Sequence, residues 1–564
     1  MRQSRSFVRA EVGAGVRAVL AVATAGMLAV GGVTVVSTAT SSAAKADSAA
    51  GPSAGIARPA AAIAWGACTS ASLTGVGAEC GFVPVPLDWA KPKGQQIQIA
   101  VSRLRAKDNR QGVMLINPGG PGGSGLDFPA IYPPRVPDSI GFQYDWIGFD
   151  PRGVGSSKPA VTCDKSYFNG PRPQYEPADL TKITGSESVW LERTKKYAKA
   201  CADQNPEIIK HMRSIDTVRD MDAIRQALGE QQINYYGISY GTFLGQAYAT
   251  TYPDKVRRMI LDSNVAPDYP GYGDAGRGQV SGFEYTSGEF FKWIAAHAAQ
   301  YNLGTTQAAV TKAYYDLVDG LRKAPVGTIG SAEWQDVFLT AGYAEFLWPT
   351  LADGWALWST GDHSRMEFLY EVLASVGDDN SFAAFNSTLC SDGPWPRDYT
   401  KVRNDAIALA KEFKFATWGG YWFSGPCTFW SVKPSAPLAI DGSRITTPIL
   451  VLNATHDGPT PFANALKVKA EFRTSVLIAD VGGMTHGVGL NGNVCMTKYV
   501  TDYLRDGTLP TRTSGAGADV ECARKPLPEP SMLFRGQEAG AFIDGALPEP
   551  FNALLIQIPV AHRR

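Results

Sequence analysis

One serine of this chain lies in a context that would make it a nucleophile. Ser239 is the centre of Gly-Ile-Ser-Tyr-Gly, after the β-branched and aromatic stretch Ile233–Tyr236 and before the helical stretch Thr242–Thr251. Strand, sharp turn and helix form a nucleophile elbow, in which glycines flank the serine because larger side chains would collide with neighbouring backbone. The same pattern at residues 51–55 lies in Ala-, Pro- and Ser-rich sequence with no strand before it, so we assign the elbow to Ser239.

A serine hydroxyl is a poor nucleophile until a base takes its proton, and a carboxylate commonly sets the tautomer of that base. Among six histidines, His486 lies in a glycine-rich loop after the strand-like Ser475–Ile478, where an imidazole can be presented. Asp457 lies on the loop after the predicted buried strand Pro448–Asn453. The order Ser239, Asp457, His486 is that of an α/β-hydrolase triad.

Two other residues compete for the roles of base and acid. His456 is adjacent to Asp457, and a residue next to the acid in sequence rarely also faces it. Asp262 follows the strand-like Arg258–Leu261 and is an alternative acid. We favour His486 as the base and Asp457 as the acid.

A second glycine-rich loop is suited to binding negative charge. The predicted strand Val113–Ile116 runs into residues 117–125, which contain five glycines and two prolines and leave backbone N–H groups bare. Such a loop can aim an N–H at a developing oxyanion, and we choose Gly120 as its donor. The second donor is the N–H of Tyr240, at a helix N-terminus. A phosphate-binding loop is the alternative, but no Gly-Lys-Ser/Thr follows.

Asp150 and Arg152 lie on the loop after another predicted strand, Asp145–Phe149. They could be taken for catalytic groups. We favour an ion pair that fixes the loop. The predicted helix Thr217–Leu228 has apolar residues at helical spacing and should cover the sheet beside the elbow.

The spacing of the candidate residues predicts the domain organisation. The long interval between Ser239 and Asp457 exceeds one crossover connection, so residues 269–443 are predicted to be an inserted lid. This insertion is mainly helical by pattern and rich in Trp and Tyr, which could line a substrate cleft or form a core. Residues 63–268 and 444–522 then form an α/β core, and residues 523–564 a tail to which we assign no role.

The N-terminus has the pattern of a secretory leader. Four arginines occur in the first 17 residues, Ala18–Val36 is almost uninterruptedly apolar, and Ala44–Ala46 fits a cleavage site. We therefore predict a signal peptide at residues 1–46 and a flexible linker or pro-segment at 47–62. A membrane anchor is the alternative, because the apolar run approaches the length of a bilayer span.

Charge and cysteine content narrow the classes of function. Lys plus Arg equals Asp plus Glu at 53 each, which favours neither nucleic acid nor an anionic membrane as a partner. Eight cysteines without a C-x-x-C fit an oxidising compartment, and we expect no metal and no cofactor. The simplest pairing joins neighbours in the sequence: Cys68–Cys80, Cys163–Cys201, Cys390–Cys427 and Cys495–Cys522. The alternative is that some of these cysteines are free buried thiols.

Several segments together resemble the secreted tripeptidyl aminopeptidases of actinobacteria, relatives of the prolyl aminopeptidases within the α/β-hydrolase fold. These are NPGGPGGSG, DPRGVGSS, YYGISYGT, LDSNVAPDYP, CSDGPWPRD and DGPTP…THG…YLRDGTLP, in collinear order from about Trp65 to Cys522. The resemblance implies Ser239, Asp457 and His486 as the triad, and cleavage of peptides from a free N-terminus. Two positions depart from the family pattern: Thr485 stands where Gly is common and Gly458 where Pro is usual.

An exopeptidase must also bind the ammonium of its substrate, for which lid carboxylates are candidates: Glu284, Glu289, Glu345 and Asp353. We expect a secreted monomer that acts on peptides with free N-termini and has no stable association with membranes. A secreted carboxylesterase or lipase with the same triad is the first alternative. A binding or adhesion protein on a decayed hydrolase scaffold is the second, and the intact Ser, Asp and His argue against it.

Overall fold

Ten β-strands of the computed structural model form one sheet. The structure describes residues 62–269, 272–375 and 379–530, so the predicted signal peptide, almost all of the predicted linker and most of the tail lie outside the described residues. The strands are β1 Gly66–Ala67, β2 Glu79–Pro86, β3 Gln96–Leu104, β4 Val113–Asn117, β5 Asp145–Phe149, β6 Ile233–Ser239, β7 Val256–Asn264, β8 Ile449–Ala454, β9 Ser475–Val481 and β10 Val520–Ala523.

The order of the strands brings the candidate residues to one edge of the sheet. The order is β1-β2-β3-β5-β4-β6-β7-β8-β9-β10, antiparallel from β1 to β5 and parallel from β5 through β4 to β10. Parallel neighbours have their C-terminal ends at the same edge, where ligand sites of open α/β sheets lie. The predicted α/β fold is confirmed.

Helices cover both faces of the sheet, as a largely parallel sheet requires. Along β4, Val113 and Leu115 join the hydrophobic cluster on one face, whereas Met114 and Ile116 join the cluster on the other. The sequence therefore reads as a continuous apolar run. The helices outside the insertion are α1 Ala71–Gly75, α2 Phe128–Ile131, α3 Ser186–Gln204, α4 Ser214–Ala227, α5 Tyr240–Thr251, α15 Phe462–Glu471 and α16 Val494–Asp506.

Between β7 and β8 the described chain is helical, and we call this segment the cap. The cap has its own hydrophobic cluster. Trp334, Trp348 and Trp355 of the cap are fully buried in this cluster and so form a core. Its helices are α6 Asp274–Ala296, α7 Ala298–Tyr301, α8 Gln307–Lys323, α9 Ser331–Leu339, α10 Trp348–Ser359, α11 Ser364–Leu369, α12 Asn380–Asp392, α13 Tyr399–Ala410 and α14 Thr417–Ser424.

Short helical turns connect these elements. The 3₁₀ turns are Pro133–Arg135, Ile140–Gln143, Ile208–His211, Pro253–Lys255, Thr340–Gly342, Glu345–Leu347 and Gly425–Phe429, and Tyr370–Ala374 is a π-helical turn. Within the described ranges, no helix is long and apolar enough to cross a bilayer.

Four disulfides link residues that are close in sequence. The pairing of neighbours is confirmed: Cys68–Cys80, Cys163–Cys201, Cys390–Cys427 and Cys495–Cys522. Cys390–Cys427 joins α12 to the turn after α14 inside the cap, and Cys495–Cys522 joins α16 to β10. Such bridges stabilise a fold chiefly by restricting the unfolded chain, and they persist in oxidising compartments.

Candidate active site

Ser239 lies at the turn between β6 and α5, where the backbone is strained. Its φ is 56°, a left-handed value that is costly for a serine. The flanking glycines are required by close packing: a β-carbon at Gly237 would collide with the Gly241 carbonyl, and one at Gly241 with the Asn117 carbonyl. The predicted strand–turn–helix context is thus present, and Ser239 is buried.

His486 and Asp457 are in direct contact. His486 Nδ1 is 3.0 Å from both carboxylate oxygens of Asp457, and both side chains are buried. An Nδ1–H donated to the carboxylate leaves the lone pair of Nε2 free to accept a proton. Nε2 is buried and has no hydrogen-bond partner among the described residues, the Ser239 hydroxyl included. Without substrate, the hydrogen bond between a catalytic hydroxyl and its histidine base is often long, and it shortens when substrate is bound.

The histidine loop is attached to the strand beside the elbow. The N–H of Gly487 donates to Ser263 Oγ at 2.7 Å, near the end of β7. β7 is the parallel neighbour of β6, and Ser239 itself pairs with Asn264. The sheet therefore brings the ends of the three candidate residues' segments together.

The two competing residues have other contacts. Asp262 accepts the N–H groups of Val488 and Gly489 at 2.8 and 2.9 Å, and the Tyr236 hydroxyl at 2.8 Å. It thus holds the backbone of the histidine loop, and its burial raises its pKa. His456 stacks on Tyr285 with ring centroids 4.4 Å apart.

The prediction of an ion pair between Asp150 and Arg152 is wrong. Arg152 instead forms a buried bidentate pair with Asp220 on α4, at 2.6 and 2.7 Å. Asp150 accepts from Ser124 Oγ at 2.5 Å and from the N–H groups of Gly125 and Ser156. Both residues do fix loops, but each through a partner distant in sequence.

The glycine loop packs directly on the elbow. A β-carbon at Gly119 would lie 2.6 Å from the Ile238 carbonyl oxygen and 2.7 Å from the Tyr240 nitrogen. Gly120 follows with φ 112°, and the Tyr240 N–H is the first of α5, where no intrahelical acceptor exists. The two backbone donors chosen from the sequence therefore lie on segments that touch each other beside Ser239.

Comparison with known proteins gives the family. A model described as the α/β hydrolase fold matches residues 112–291, and one described as a TAP-like protein matches residues 414–522. The tripeptidyl aminopeptidase of Streptomyces lividans is 35% identical over 468 residues, covering 80% of this chain and 85% of the relative. The chain belongs to the tripeptidyl aminopeptidase family of α/β-hydrolases. It is therefore a serine hydrolase.

Other relatives in this family carry different names. Serine protease Hip1 of Mycobacterium tuberculosis is 32% identical over 455 residues, covering 77% of this chain and 86% of the relative. Carboxylesterase B of the same species is 30% identical over 456 residues, with coverages of 77% and 85%. Family membership therefore does not distinguish a peptide bond from an ester bond as the bond that is cleaved. That distinction must come from the site.

Both departures from the family pattern lie where the loops of Asp457 and His486 meet the cap. At Gly458, a β-carbon would be 2.7 Å from the Gly342 carbonyl oxygen, and a β-carbon at Gly282 would collide with the Gly458 carbonyl. Thr485 Oγ1 donates to Glu345 Oε2 at 3.2 Å. A proline at position 458 would clash with the cap. A glycine at position 485 would lack the hydroxyl that bonds to Glu345 of the cap.

The four cap carboxylates differ in their relation to the histidine loop. Glu284 accepts the Phe415 N–H at 2.8 Å, and Glu289 pairs with Lys292, so both are engaged within the cap. Asp353 is buried in α10. Glu345 is bonded to Thr485, the residue before His486, and Tyr343 accepts the backbone N–H of His486 at 2.7 Å.

Thr460 is a residue of the site that we did not identify from the sequence. Its N–H donates to Asp457 Oδ1 at 2.8 Å, and its hydroxyl lies 3.2 Å from His486 Nδ1. The segment Asp-Gly-Pro-Thr-Pro contains it three residues after the acid, but no pattern in the sequence marked it as a hydrogen-bonding partner of the triad.

Replacing Thr460 with valine should lower kcat/KM by about two- to tenfold, the equivalent of one hydrogen bond. Valine keeps the backbone N–H to Asp457 and removes only the hydroxyl beside His486. Steady-state kinetics of Thr460→Val tests this. Thr501→Val is the matched control, because the Thr501 hydroxyl bonds only to Thr497 within α16. Equal losses in both variants would contradict a role for Thr460 at the triad.

Proposed function

We propose that this protein is a secreted serine exopeptidase that releases short peptides, tripeptides first of all, from free N-termini. The observation that carries the proposal is the buried His486–Asp457 pair at the sheet edge that also bears Ser239 on a strained elbow. The Streptomyces relative named tripeptidyl aminopeptidase, 35% identical over 468 residues, supports peptide substrates.

The residues perform acyl transfer as follows. Ser239 Oγ attacks the scissile carbonyl carbon while His486 Nε2 takes the hydroxyl proton, and Asp457 stabilises the imidazolium that forms. The N–H groups of Gly120 and Tyr240 bind the oxyanion. The tetrahedral intermediate collapses as His486 gives its proton to the leaving amine, which leaves an ester on Ser239. Water, activated by His486, then hydrolyses this ester and regenerates the serine.

The proposal places the enzyme outside the cell as a monomer. The basic and apolar leader supports export, and four disulfides are suited to an oxidising compartment. A net charge of zero favours no attachment to nucleic acid or anionic lipid. Peptides are then the partners that the site would meet.

Glu345 is the carboxylate best placed to bind the substrate ammonium. It is buried, and its Oε1 has no hydrogen-bond partner within the part of the chain that the structure describes. Arg524 is a neighbouring cation, with its Nη1 3.8 Å from Oε1. Burial raises the pKa of Glu345, so a second cation would stabilise its ionised form.

Replacing Glu345 with glutamine should therefore raise KM for peptides with a free amine by about tenfold or more, since a charge-assisted hydrogen bond is worth roughly 1.5–3 kcal/mol. Turnover of an ester without an amine should be unaffected. Initial-rate kinetics on both substrates gives the comparison. Glu289→Gln, which removes a cap carboxylate paired with Lys292, is the matched control. A KM that rises equally for both substrates would contradict ammonium binding by Glu345.

Three chromogenic substrates test the proposed function. They are a tripeptide p-nitroanilide with a free amine, its N-acetylated twin and a short-chain p-nitrophenyl ester. We expect turnover of the free tripeptide and none of the acetylated twin, because an exopeptidase reads the ammonium. Hydrolysis of the ester alone would overturn the peptidase proposal.

A carboxylesterase with the same triad is the second candidate. The observation in its favour is the 30% identity to the relative named Carboxylesterase B. An esterase has no need of an ammonium site, so for this candidate the buried Glu345 would serve only its bond to Thr485. Hydrolysis of the ester alone, together with unchanged activity of the Glu345→Gln variant, would support the carboxylesterase candidate.

A further inference from the structure

Helix α12 of the cap touches the loop that carries one proposed oxyanion donor. A β-carbon at Gly122 would lie 2.5 Å from the Ser381 carbonyl oxygen and 2.9 Å from the Phe385 nitrogen, so loop and helix backbones are in close contact. Gly122 is two residues after Gly120. The first turns of α12 therefore support the glycine loop on the side of the cap.

The other end of α12 is joined by hydrogen bonds to the second proposed donor. Asp392, its last residue, accepts the Ser214 N–H at 2.7 Å through Oδ1 and the Ser214 hydroxyl at 2.6 Å through Oδ2. Ser214 Oγ lies 2.5 Å from the Tyr240 hydroxyl. This chain of two hydrogen bonds runs from the cap, through the first residue of α4, to the residue directly after Ser239.

The direction of the chain follows from the number of protons. A serine hydroxyl has one proton, and when Ser214 gives it to ionised Asp392, the Tyr240 hydroxyl is the donor to Ser214 Oγ. All three side chains are buried. Burial raises the pKa of Asp392 to about 7. A buried polar chain of this kind is stable only when every member is satisfied, which holds Tyr240 in one position.

We propose that α12 is a clamp on the oxyanion hole, in which Asp392 and Ser214 are positioning residues that fix Tyr240 while the first turns of the helix fix the glycine loop. The inference rests on the proposed acyl transfer, with Gly120 and Tyr240 as oxyanion donors. A helix is rigid over its length, so it sets the spacing between the two contacts. Small displacements of donors matter because hydrogen bonds weaken steeply with poor geometry.

A comparable bond on another helix of the cap provides a matched control. Tyr399, the first residue of α13, donates its hydroxyl to Glu187 Oε1 on α3 at 2.8 Å. Tyr399 thus also joins cap to core through a tyrosine hydroxyl, but it does so on a helix other than α12. If the bonds of Asp392 served only to hold the cap on the core, loss of either tyrosine hydroxyl would have similar consequences.

The experiment compares Tyr240→Phe and Ser214→Ala with Tyr399→Phe. Each variant is assayed for kcat, KM and the affinity of a trifluoromethyl ketone, which Ser239 converts to a hemiketal whose oxygen occupies the oxyanion position. We expect kcat to fall about tenfold in the first two variants, less than the 10²–10³ typical of a lost donor, because the N–H is retained. KM should stay within about twofold, and ketone affinity should fall in parallel with kcat.

Further measurements make every result decisive. The double variant Ser214→Ala/Tyr240→Phe should lose no more than either single variant, since both break one chain. Unchanged kcat and ketone affinity in both single variants, or an equal loss in Tyr399→Phe, would overturn the clamp. If Tyr240→Phe fails to fold, Ser214→Ala alone decides. All assays are repeated on the p-nitrophenyl ester. If the protein cleaves only the ester, the peptidase proposal is refuted, but the ester kinetics of the variants still test the clamp.

Discussion

Replacing Ser239 with alanine should lower kcat by about 10⁶-fold, the loss seen when a triad nucleophile is removed. The remaining rate would come from substrate binding and the oxyanion donors, which alanine leaves in place. The backbone at Ser239 has a φ of 56°, and alanine must adopt the same value, so the variant should fold with a small loss of stability. Initial rates and circular dichroism on the same preparation measure both effects.

Covalent labelling makes the same test without a substrate. A fluorophosphonate should label the wild-type protein on Ser239 and leave Ser239→Ala unlabelled. Ser287→Ala is the matched control, because Ser287 is also buried and its hydroxyl bonds only to the Glu284 carbonyl of the same helix. A wild-type protein that takes no label would indicate a scaffold that no longer performs catalysis, and label retained in Ser239→Ala would show another nucleophile.

Replacing Asp457 with asparagine should lower kcat by about 10⁴-fold while leaving the fold intact. Both carboxylate oxygens lie 3.0 Å from His486 Nδ1, so the carboxylate holds that nitrogen protonated and leaves Nε2 as the base. An asparagine can present its NH₂ to Nδ1, which would hold the opposite tautomer, with the proton on Nε2. KM should change little, since Asp457 is buried and does not bind substrate.

The competing acid provides the comparison for this variant. Asp262→Asn should cost much less, because Asp262 binds the backbone of Val488 and Gly489 and the imidazole is held by Asp457. Kinetics of the two variants side by side decides the assignment. A 10⁴-fold loss in Asp262→Asn with little loss in Asp457→Asn would reverse the roles of the two aspartates.

The parts of the molecule that depend on contiguous residues could be predicted from the sequence. The elbow at Ser239 is a short segment in which Gly237 packs against the Gly241 carbonyl, and the buried strands β4, β6 and β8 read as apolar runs. The pairing of neighbouring cysteines, chosen as the simplest of the possible connectivities, is also confirmed. These features are local, and local patterns suffice to predict them.

Contacts between segments far apart in the chain could not be predicted, except the contact between Asp457 and His486, which the residue order of a hydrolase triad indicates. Arg152 pairs with Asp220, not with the nearby Asp150, because folding brings Asp220 of α4 within 2.6 Å of the Arg152 guanidinium. The chain from Asp392 to Tyr240 and the bond of Thr485 to Glu345 both join the cap to the core, and no spacing in the sequence indicates which cap residue meets which loop. The short β1 and β10 likewise depend on pairing at the edges of the sheet.

The central claim is that Ser239 cleaves peptides at a fixed distance from a free N-terminus. The most direct test incubates ten-residue peptides, varied at the third residue, with the mature protein and follows the first products by mass spectrometry. Each peptide is paired with its N-acetylated twin. We predict an N-terminal tripeptide and the remaining heptapeptide from the free peptides, and intact acetylated twins. Cleavage of the acetylated twins, or no peptide cleavage by a protein that hydrolyses esters, would contradict the account.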